Sequence, residues 1–335
     1  DNIDTACAIA KELGILINKD EAITGIELDS MSDEEFEKNV LKYRVYARVS
    51  PENKIRIVKA WKKHGKVVAM TGDGVNDAPA LKGADIGVGM GITGTEVSKN
   101  VSSMVLADDN FATIVLAVKE GRRIYNNIQN AIAYLLASNL AEVLIVFIAT
   151  LFNQTFLLPI QILWINLVTD TVPAIALGFE KEEKDIMRRK PRSSKEKLLN
   201  PFMALRIIVP GIFKVSIVFL MYYIVNKNYS YEMATSCVFI TLSTLEILFS
   251  SVCRSDKKSI LKIGLFTNKA MVFCIFGTLL VQAIVIFTPA LANLLKIVAL
   301  PVNLYILIAV ICVLSVIVLE IIKLILARIF VYKKE

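Results

Sequence analysis

The chain is poor in cysteine. Cys7, Cys237, Cys253, Cys274 and Cys312 are scattered over 335 residues, and no two stand in a CxxC or other ligand spacing. That excludes a disulfide framework and a soft-metal site, and leaves the thiols to pack as small hydrophobes. Charge is also scarce: Asp, Glu, Lys and Arg make up 21% of the residues while hydrophobic residues make up 55%. Such a composition excludes a disordered protein and is too apolar for a purely water-soluble globule. Proline is missing from Phe111 to Phe152, where Gly121 is the one glycine, so nothing there breaks a helix. There is no initiating Met before Asp1 and no signal peptide, and the chain is expected to be a portion of a longer protein.

What charge there is sits unevenly. The 38 Lys+Arg against 31 Asp+Glu leave +7, and the basic residues gather in loops between apolar runs. This is the pattern of cytosolic membrane loops and not of a nucleic-acid surface. Residues 1–125 read as a soluble α/β region. Thr5–Leu13 is expected to be helical and Val45–Val49 a strand. Ser50-Pro51 reads as an N-cap followed by proline in the first turn, opening a helix to about Lys63. Lys66–Met70 reads as a buried strand, with further strands at Ile86–Val88 and Met104–Leu106. Strands alternating with helices predict a parallel, doubly wound sheet with its ligand beyond the carboxyl ends of the strands.

At that end of Lys66–Met70 lies Thr71-Gly72-Asp73-Gly74-Val75-Asn76-Asp77-Ala78-Pro79. The glycines permit a tight turn, and Asp73 and Asp77 can share one small volume. Hard carboxylate oxygens of this kind suit Mg²⁺, which keeps waters and phosphate oxygens among its ligands.

From Phe111 to Phe152 one unbroken helix would be about 60 Å long, twice a hydrocarbon core of roughly 30 Å. Its first half, with Lys119, Glu120, Arg122 and Arg123, must then stand outside the membrane as a stalk, and residues 131–151 span it. Five more spans are expected at 159–178, 205–225, 233–253, 271–290 and 302–325. Lys and Arg crowd residues 179–206, 254–269 and the C-terminal tail, whereas the opposite loops carry only Lys227 and Lys296. The positive-inside rule places residues 1–125 and the C-terminus in the cytosol, with membrane lipid as the partner.

An Asp or a basic residue at mid-membrane costs about 2.5–3.5 kcal/mol, so polar groups there mark function. Asn139 and Glu142 lie three apart on the first span. Asn166, Thr169 and Asp170 share a face of the second, where Pro173 is expected to interrupt the helix and free backbone carbonyls. Glu246 shares a stripe of the fourth with Ser236, Ser243 and Ser250, serines suited to gluing helices together. Glu142 and Asp170, with no Lys or Arg assigned beside them, would need a cation or protons. Oxygen ligands with two or three carboxylates fit Ca²⁺ better than K⁺. Lys214 reads as a snorkelling lysine, His64 as an exposed helix-end residue, and Glu320 as a local partner of Lys323.

Several of these strings carry a family resemblance. Thr71–Gly91 (TGDGVNDAPALKGADIGVGMG) resembles the hinge motif of the phosphorylation domain of P-type cation-transporting ATPases. Ala47–Lys54 (ARVSPENK) is similar to the segment that carries their phosphate-contacting lysine. Met104–Phe111 and Glu120-Gly121-Arg122 match as well. Asn126–Val143 and Leu158–Glu180 resemble the fifth and sixth membrane helices of the sarco/endoplasmic-reticulum-type Ca²⁺ pumps. The resemblance implies an α/β haloacid-dehalogenase-like fold (a partial phosphorylation domain, residues 1–110), a stalk (111–130) and an all-α bundle of six transmembrane helices (131–335). It implies Mg²⁺ at Asp73, a phosphoryl pocket ordered by Asn76 and Asp77, and Lys54 neutralising phosphate charge. It also implies ATP as co-substrate and Ca²⁺ as the transported ion, on Asn139, Glu142, Asn166, Thr169, Asp170 and Glu246.

The family's acceptor string DKTGT is absent, and Thr93-Gly94-Thr95 does not replace it because Gly91-Ile92 precede it. The nucleotide-binding and actuator domains and the first four membrane helices are absent too. The expectation is therefore the C-terminal portion of a Ca²⁺ pump, inactive by itself, with the N-terminal part of the same pump as its partner. Sodium and potassium pumps tend to carry Asp at the place of Asn166, and no Cys-Pro-Cys marks a heavy-metal pump. A pump for Na⁺ or K⁺, a membrane-anchored phosphatase and a non-catalytic cation-binding membrane module are the alternatives.

Overall fold

The computed structural model describes residues 2–192 and 197–331. They divide into two compact units, one formed by the residues up to Val118 together with residues 190–192 and the other by Lys119–Arg189 and the residues from Lys197 onward.

The first unit alternates short strands and helices. α1 (Ile3–Glu12) leads to β1 (Ala22–Thr24), α2 (Gly25–Ser30) and α3 (Asp33–Asn39), then to β2 (Val45–Ala47) and α4 (Pro51–Lys63). β3 (Ala69–Gly72), α5 (Ala78–Gly83), β4 (Ile86–Met90), α6 (Glu96–Val101) and β5 (Met104–Leu106) follow. α4 begins where Ser50-Pro51 predicts, with the Ser50 hydroxyl accepting from the Asn53 N–H at 3.2 Å. β1 pairs with β2, and β4 pairs with β3 on one side and β5 on the other, all in parallel. The parallel pairing agrees with the sequence, but the strands form two separate sheets whose order shows no reversal among the described residues. Ile23, Leu28, Phe36, Val40, Tyr43 and Ala60 form one apolar cluster beside β1 and β2, and Cys7, Ala10, Leu16 and Val45 form another.

Lys66–Met70 differs from its reading as a buried strand. The strand runs from Ala69 to Gly72, and Val67 is 59% exposed. The physical reason is position: β3 pairs on one side only, as an edge strand of a three-stranded sheet, so its apolar residues lack the double cover of a central strand.

The second unit is helical. α7 (Phe111–Leu151, which starts within the first unit) is one uninterrupted helix of 41 residues. The next span is α8 (Pro159–Trp164), a π-helical segment (Ile165–Asp170) and α9 (Thr171–Leu177). α10 (Pro201–Asn228), α11 (Tyr231–Val252), α12 (Ile260–Ile263), α13 (Lys269–Phe287), α14 (Pro289–Leu294) and α15 (Val302–Val331) complete it. Among the described residues six helical segments are long and apolar enough to cross a membrane, one at each expected span, and the protein is a multi-pass membrane protein. The fifth stops at Phe287, before the expected residue 290, because Thr288-Pro289 opens the separate helix α14.

α11 is the axis of this unit, buried on nearly all sides by α10, α13, α15 and the π-helical segment. Its serines act as interhelical glue: Ser243 accepts from Gln282 Nε2 at 2.7 Å and Ser236 from the Val298 N–H at 2.9 Å. All five cysteines are buried and free. Glu320 pairs with Lys323 at 2.8 Å, as its spacing predicts.

At one end of the bundle Arg254 donates to both carboxylate oxygens of Glu180 at 2.8 Å, and further to the carbonyls of Gly264 and Leu265. Asn268 adds a donor to Glu180 at 2.9 Å, and Asn127 of α7 binds the Glu180 carbonyl at 2.9 Å. This buried, fully bonded fork ties three connections to α7. Beside it Glu183 and Asp185 share Lys258 and Arg189. Burial pushes both carboxyls up, but those two cations more than offset it and hold them below the usual range.

Two predictions follow from these contacts. Arg254→Met leaves Glu180 as a buried, unpaired charge, a loss of about 3–5 kcal/mol; the thermal midpoint of the detergent-solubilised protein should fall markedly, and an unchanged midpoint contradicts the role given to the fork. In the first unit the Asp109 carboxylate accepts from the N–H groups of Gly91, Ile92 and Thr93 at 2.6, 3.1 and 2.8 Å. Desolvation pushes this carboxyl up, yet the N–H donors win and hold it down at about 2. A folded pKa below the unfolded one gives stability that is complete above about pH 4 and lost as pH falls toward about 2. Asp109→Asn should therefore unfold more easily at neutral pH and lose less on acidification, and equal acid losses in both proteins contradict this.

Candidate functional site

The soluble candidate residues follow β3. The Gly72–Gly74 turn carries the chain off the strand, and Val75–Asp77 forms a single 3₁₀ turn that leads into α5. Gly72 is required by close approach: a Cβ there would lie 2.5 Å from Asp77 Cβ. The absent side chain lets Asp77 fold back, buried, against the strand end. Lys54, one turn into α4, reaches Asp77 Oδ1 at 2.5 Å. Burial pushes the Asp77 carboxyl up, and the Lys54 ammonium together with the Gly74 N–H overcomes this and holds it below the usual range. Asp73 and Asn76 are exposed. The Asp73 carbonyl is fixed by Thr95 N–H at 2.8 Å and Ser98 Oγ at 3.1 Å, while no side-chain hydrogen bond engages its carboxylate among the described residues. Of the four residues singled out here, then, the structure brings Lys54 and Asp77 into contact and leaves Asp73 open to solvent.

The membrane candidates converge. Glu142 of α7, Asp170 at the end of the π-helical segment and Glu246 of α11 each bring one carboxylate oxygen within 4.8 Å of the others. They are 5%, 1% and 0% exposed. Asn166 donates to Glu142 Oε2 at 2.7 Å. Tyr134 donates toward Asp170 Oδ1 at 3.2 Å and the carbonyls of Thr169 and Glu246 at 3.0 and 3.3 Å, joining all three helices. Glu142 Oε1, Asp170 Oδ2 and both oxygens of Glu246 receive no hydrogen bond. Buried carboxylate oxygens left without donors are costly unless a cation or protons meet them. Oxygen-only donors of this kind suit a hard divalent ion.

Local structure explains the convergence. The interruption expected near Pro173 is present as the wide π turn, in which Thr169 Oγ1 bonds the Ile165 carbonyl at 2.8 Å and Thr171 Oγ1 the Asn166 carbonyl at 2.7 Å. That turn puts Thr169 and Asp170 on the buried side together. Asn139 is half-buried and makes no side-chain hydrogen bond to the cluster.

Lys214 is a correction. It is 0% exposed, at the middle of α10, with its Nζ 3.6 Å from Glu246 Oε1 and donating to Ser138 Oγ at 3.0 Å. Snorkelling is ruled out by distance, since either end of α10 is about 20 Å away along the axis. Tyr134 was missed as well, although Tyr134, Ser138 and Glu142 recur at four-residue spacing on one face of α7, which is a readable signal.

Gly72→Ala should displace Asp77 and break its contact with Lys54, at a cost of about 1–3 kcal/mol from overpacking. Thermal unfolding of the first unit reads this, and a variant as stable as the parent contradicts the close approach.

Residues 154–325, just over half the chain, match the family described as "Cation transporting ATPase, C-terminus", and residues 1–85 match haloacid dehalogenase-like hydrolases. Calcium-transporting ATPase 1 of Bacillus cereus is 44% identical over 342 residues, covering 97% of this chain and 38% of that protein. The calcium-transporting ATPase of Bacillus subtilis is 44% identical over 87% of this chain, and human calcium-transporting ATPase type 2C member 1 is 39% identical over 87%. The chain spans 38%, 33% and 32% of those three relatives. With a parallel α/β unit ahead of six membrane-length helices and a match over most of those helices, the chain belongs to the family of cation-transporting ATPases, of which it carries the C-terminal region.

Proposed function

We propose that this chain works within an ATP-driven P-type pump whose transported ion is Ca²⁺. The observation that carries the reading is the buried meeting of Glu142, Asp170 and Glu246, with four carboxylate oxygens that no donor satisfies. Ca²⁺ takes six to eight oxygens, usually from carboxylates, amides, carbonyls and water. Glu142, Asp170 and Glu246 supply the carboxylates, and Asn166, Thr169 and Asn139 are proposed as the neutral oxygen donors. The names of the relatives, all calcium-transporting ATPases, point the same way.

The first unit, to about residue 110, is proposed as part of the phosphorylation domain, residues 111–130 as a stalk and residues 131–335 as the membrane region. Residues 1–125, the basic loops and the C-terminus are proposed to face the cytosol, on the strength of the Lys and Arg distribution. Asp73, an exposed carboxylate with no side-chain hydrogen bond among the described residues and at a strand's carboxyl end, fits a Mg²⁺ ligand. Mg²⁺ when bound would neutralise charge developing on a transferred phosphoryl group. Asp77 holds the Lys54 ammonium at the same strand end, where that ammonium can meet a phosphate oxygen, and Asn76 offers an amide beside them. Glu142 lies on the helix that begins at Phe111, so a pull on the start of α7 would shift one of three carboxylates against the other two and reshape the ion site.

Asp170→Asn in the full-length protein tests the reading. It removes one of the carboxylate charges, and Ca²⁺-dependent phosphorylation should be abolished. Full retention of that phosphorylation, or its support by Na⁺ or K⁺ in place of Ca²⁺, contradicts the assignment.

A further inference from the structure

α13 carries no Asp or Glu and gives the cluster no carboxylate, yet it buries an amide, Gln282, in a largely apolar span. We infer that Gln282 is a positioning residue for the ion site: its hydrogen bonds to Trp164 and Ser243 hold the helix that bears Asn166, Thr169 and Asp170 at a fixed distance from the helix that bears Glu246. The inference rests on the proposed Ca²⁺ reading and adds a residue that does not itself touch the ion.

The hydrogen bonds define the bridge. Trp164 Nε1 donates to Gln282 Oε1 at 2.9 Å, and Gln282 Nε2 donates to Ser243 Oγ at 2.7 Å. Ser243 in turn donates to the Phe239 carbonyl of its own helix at 2.8 Å, so the chain of bonds ends on the α11 backbone. Gln282 is 3% exposed. It lies on the buried stripe of α13 with Met271, Cys274, Thr278 and Val285, while Phe273, Phe276 and Leu280 of the same helix are exposed.

Placement gives the bridge its consequence. Trp164 is the last residue before the π-helical segment, two positions ahead of Asn166. Asn166 in turn donates to Glu142 Oε2 at 2.7 Å. Ser243 stands one turn before Glu246 on α11. Each end of the bridge therefore grips its helix within one turn of a proposed ligand. A π turn departs from the ordinary helical ladder, and the indole anchors the residue from which this one starts. Packing alone does not require an amide here. An apolar side chain of similar length would fill the same space without the cost of burying a polar group, whereas a hydrogen-bonded pair fixes distance and direction.

The test measures phosphorylation of the full-length protein against Ca²⁺ concentration. In Gln282→Met the half-maximal concentration should rise about tenfold, while the level at saturating Ca²⁺ stays within about twofold of the parent. A rise below about threefold, or a lower maximum with the half-maximal concentration unchanged, overturns the inference, the second result marking a structural role only. Trp164→Phe keeps an aromatic ring and removes the donor, and it should raise the half-maximal concentration in the same direction even where Gln282→Met folds poorly. Combining the two should raise it no further than Gln282→Met alone, since both cut one bridge, and effects that multiply overturn the inference. If the unmodified protein shows no Ca²⁺-dependent phosphorylation, the pump reading itself fails. A phosphorylated parent matched by Gln282→Met leaves that reading standing and removes this inference alone.

Discussion

A carboxylate in the middle of a bilayer has no water to turn to, and the second unit is arranged around that constraint. Glu142, Asp170 and Glu246 come from three separate helices, and each is expensive where it lies. Their mutual approach concentrates the cost in one place, where it can be met by an ion, by Lys214 and by the donors of Tyr134 and Asn166. The surrounding architecture fits this. α11, which carries Glu246, is enclosed on nearly all sides, the second span has a π turn with Thr169 and Asp170 on its buried side, and Gly211 lets α10 press against α7.

Much of this was legible in the sequence, for definite reasons. Membrane spans are long apolar runs, and a membrane-length helix lies at each of the six expected places because length and composition are local properties. Ser50-Pro51 announced α4, since a cap and its helix are also local. Glu142, Asp170 and Glu246 stood out because a charge inside an apolar run is conspicuous on one-dimensional grounds. Lys214 was equally conspicuous but was misread, since a lysine on an apolar helix has two physical outcomes, snorkelling or pairing, and only the neighbouring helices decide between them. The exposure of Val67 was hidden for a related reason: whether a strand is central or at an edge depends on partners far away in the chain. The closeness of Lys54 to Asp77 rested on the motif they share and on Gly72, whose missing side chain makes room for the carboxylate.

The two candidate sites use acidic residues in opposite ways. In the first unit Asp77 is already matched by Lys54 and is held ionised, while Asp73 stays free in water, where an exposed carboxylate costs nothing to keep. In the second unit Glu142 Oε1, Asp170 Oδ2 and both oxygens of Glu246 have no hydrogen-bond donor, and in the proposed reading a cation meets them. An aqueous site can thus be ordered in advance, whereas the proposed membrane site of three carboxylates would be completed by its ion. That difference is what a transport cycle needs, since an ion held by movable helices can be released by separating its ligands.

The most direct measurement is anomalous scattering from crystals of the full-length protein grown with Ca²⁺. A peak between α7, the π-helical segment and α11, with oxygens of Glu142, Asp170 and Glu246 at about 2.3–2.6 Å, is the predicted result. Absence of any peak there, with Glu142 and Asp170 turned apart toward lipid, would contradict it.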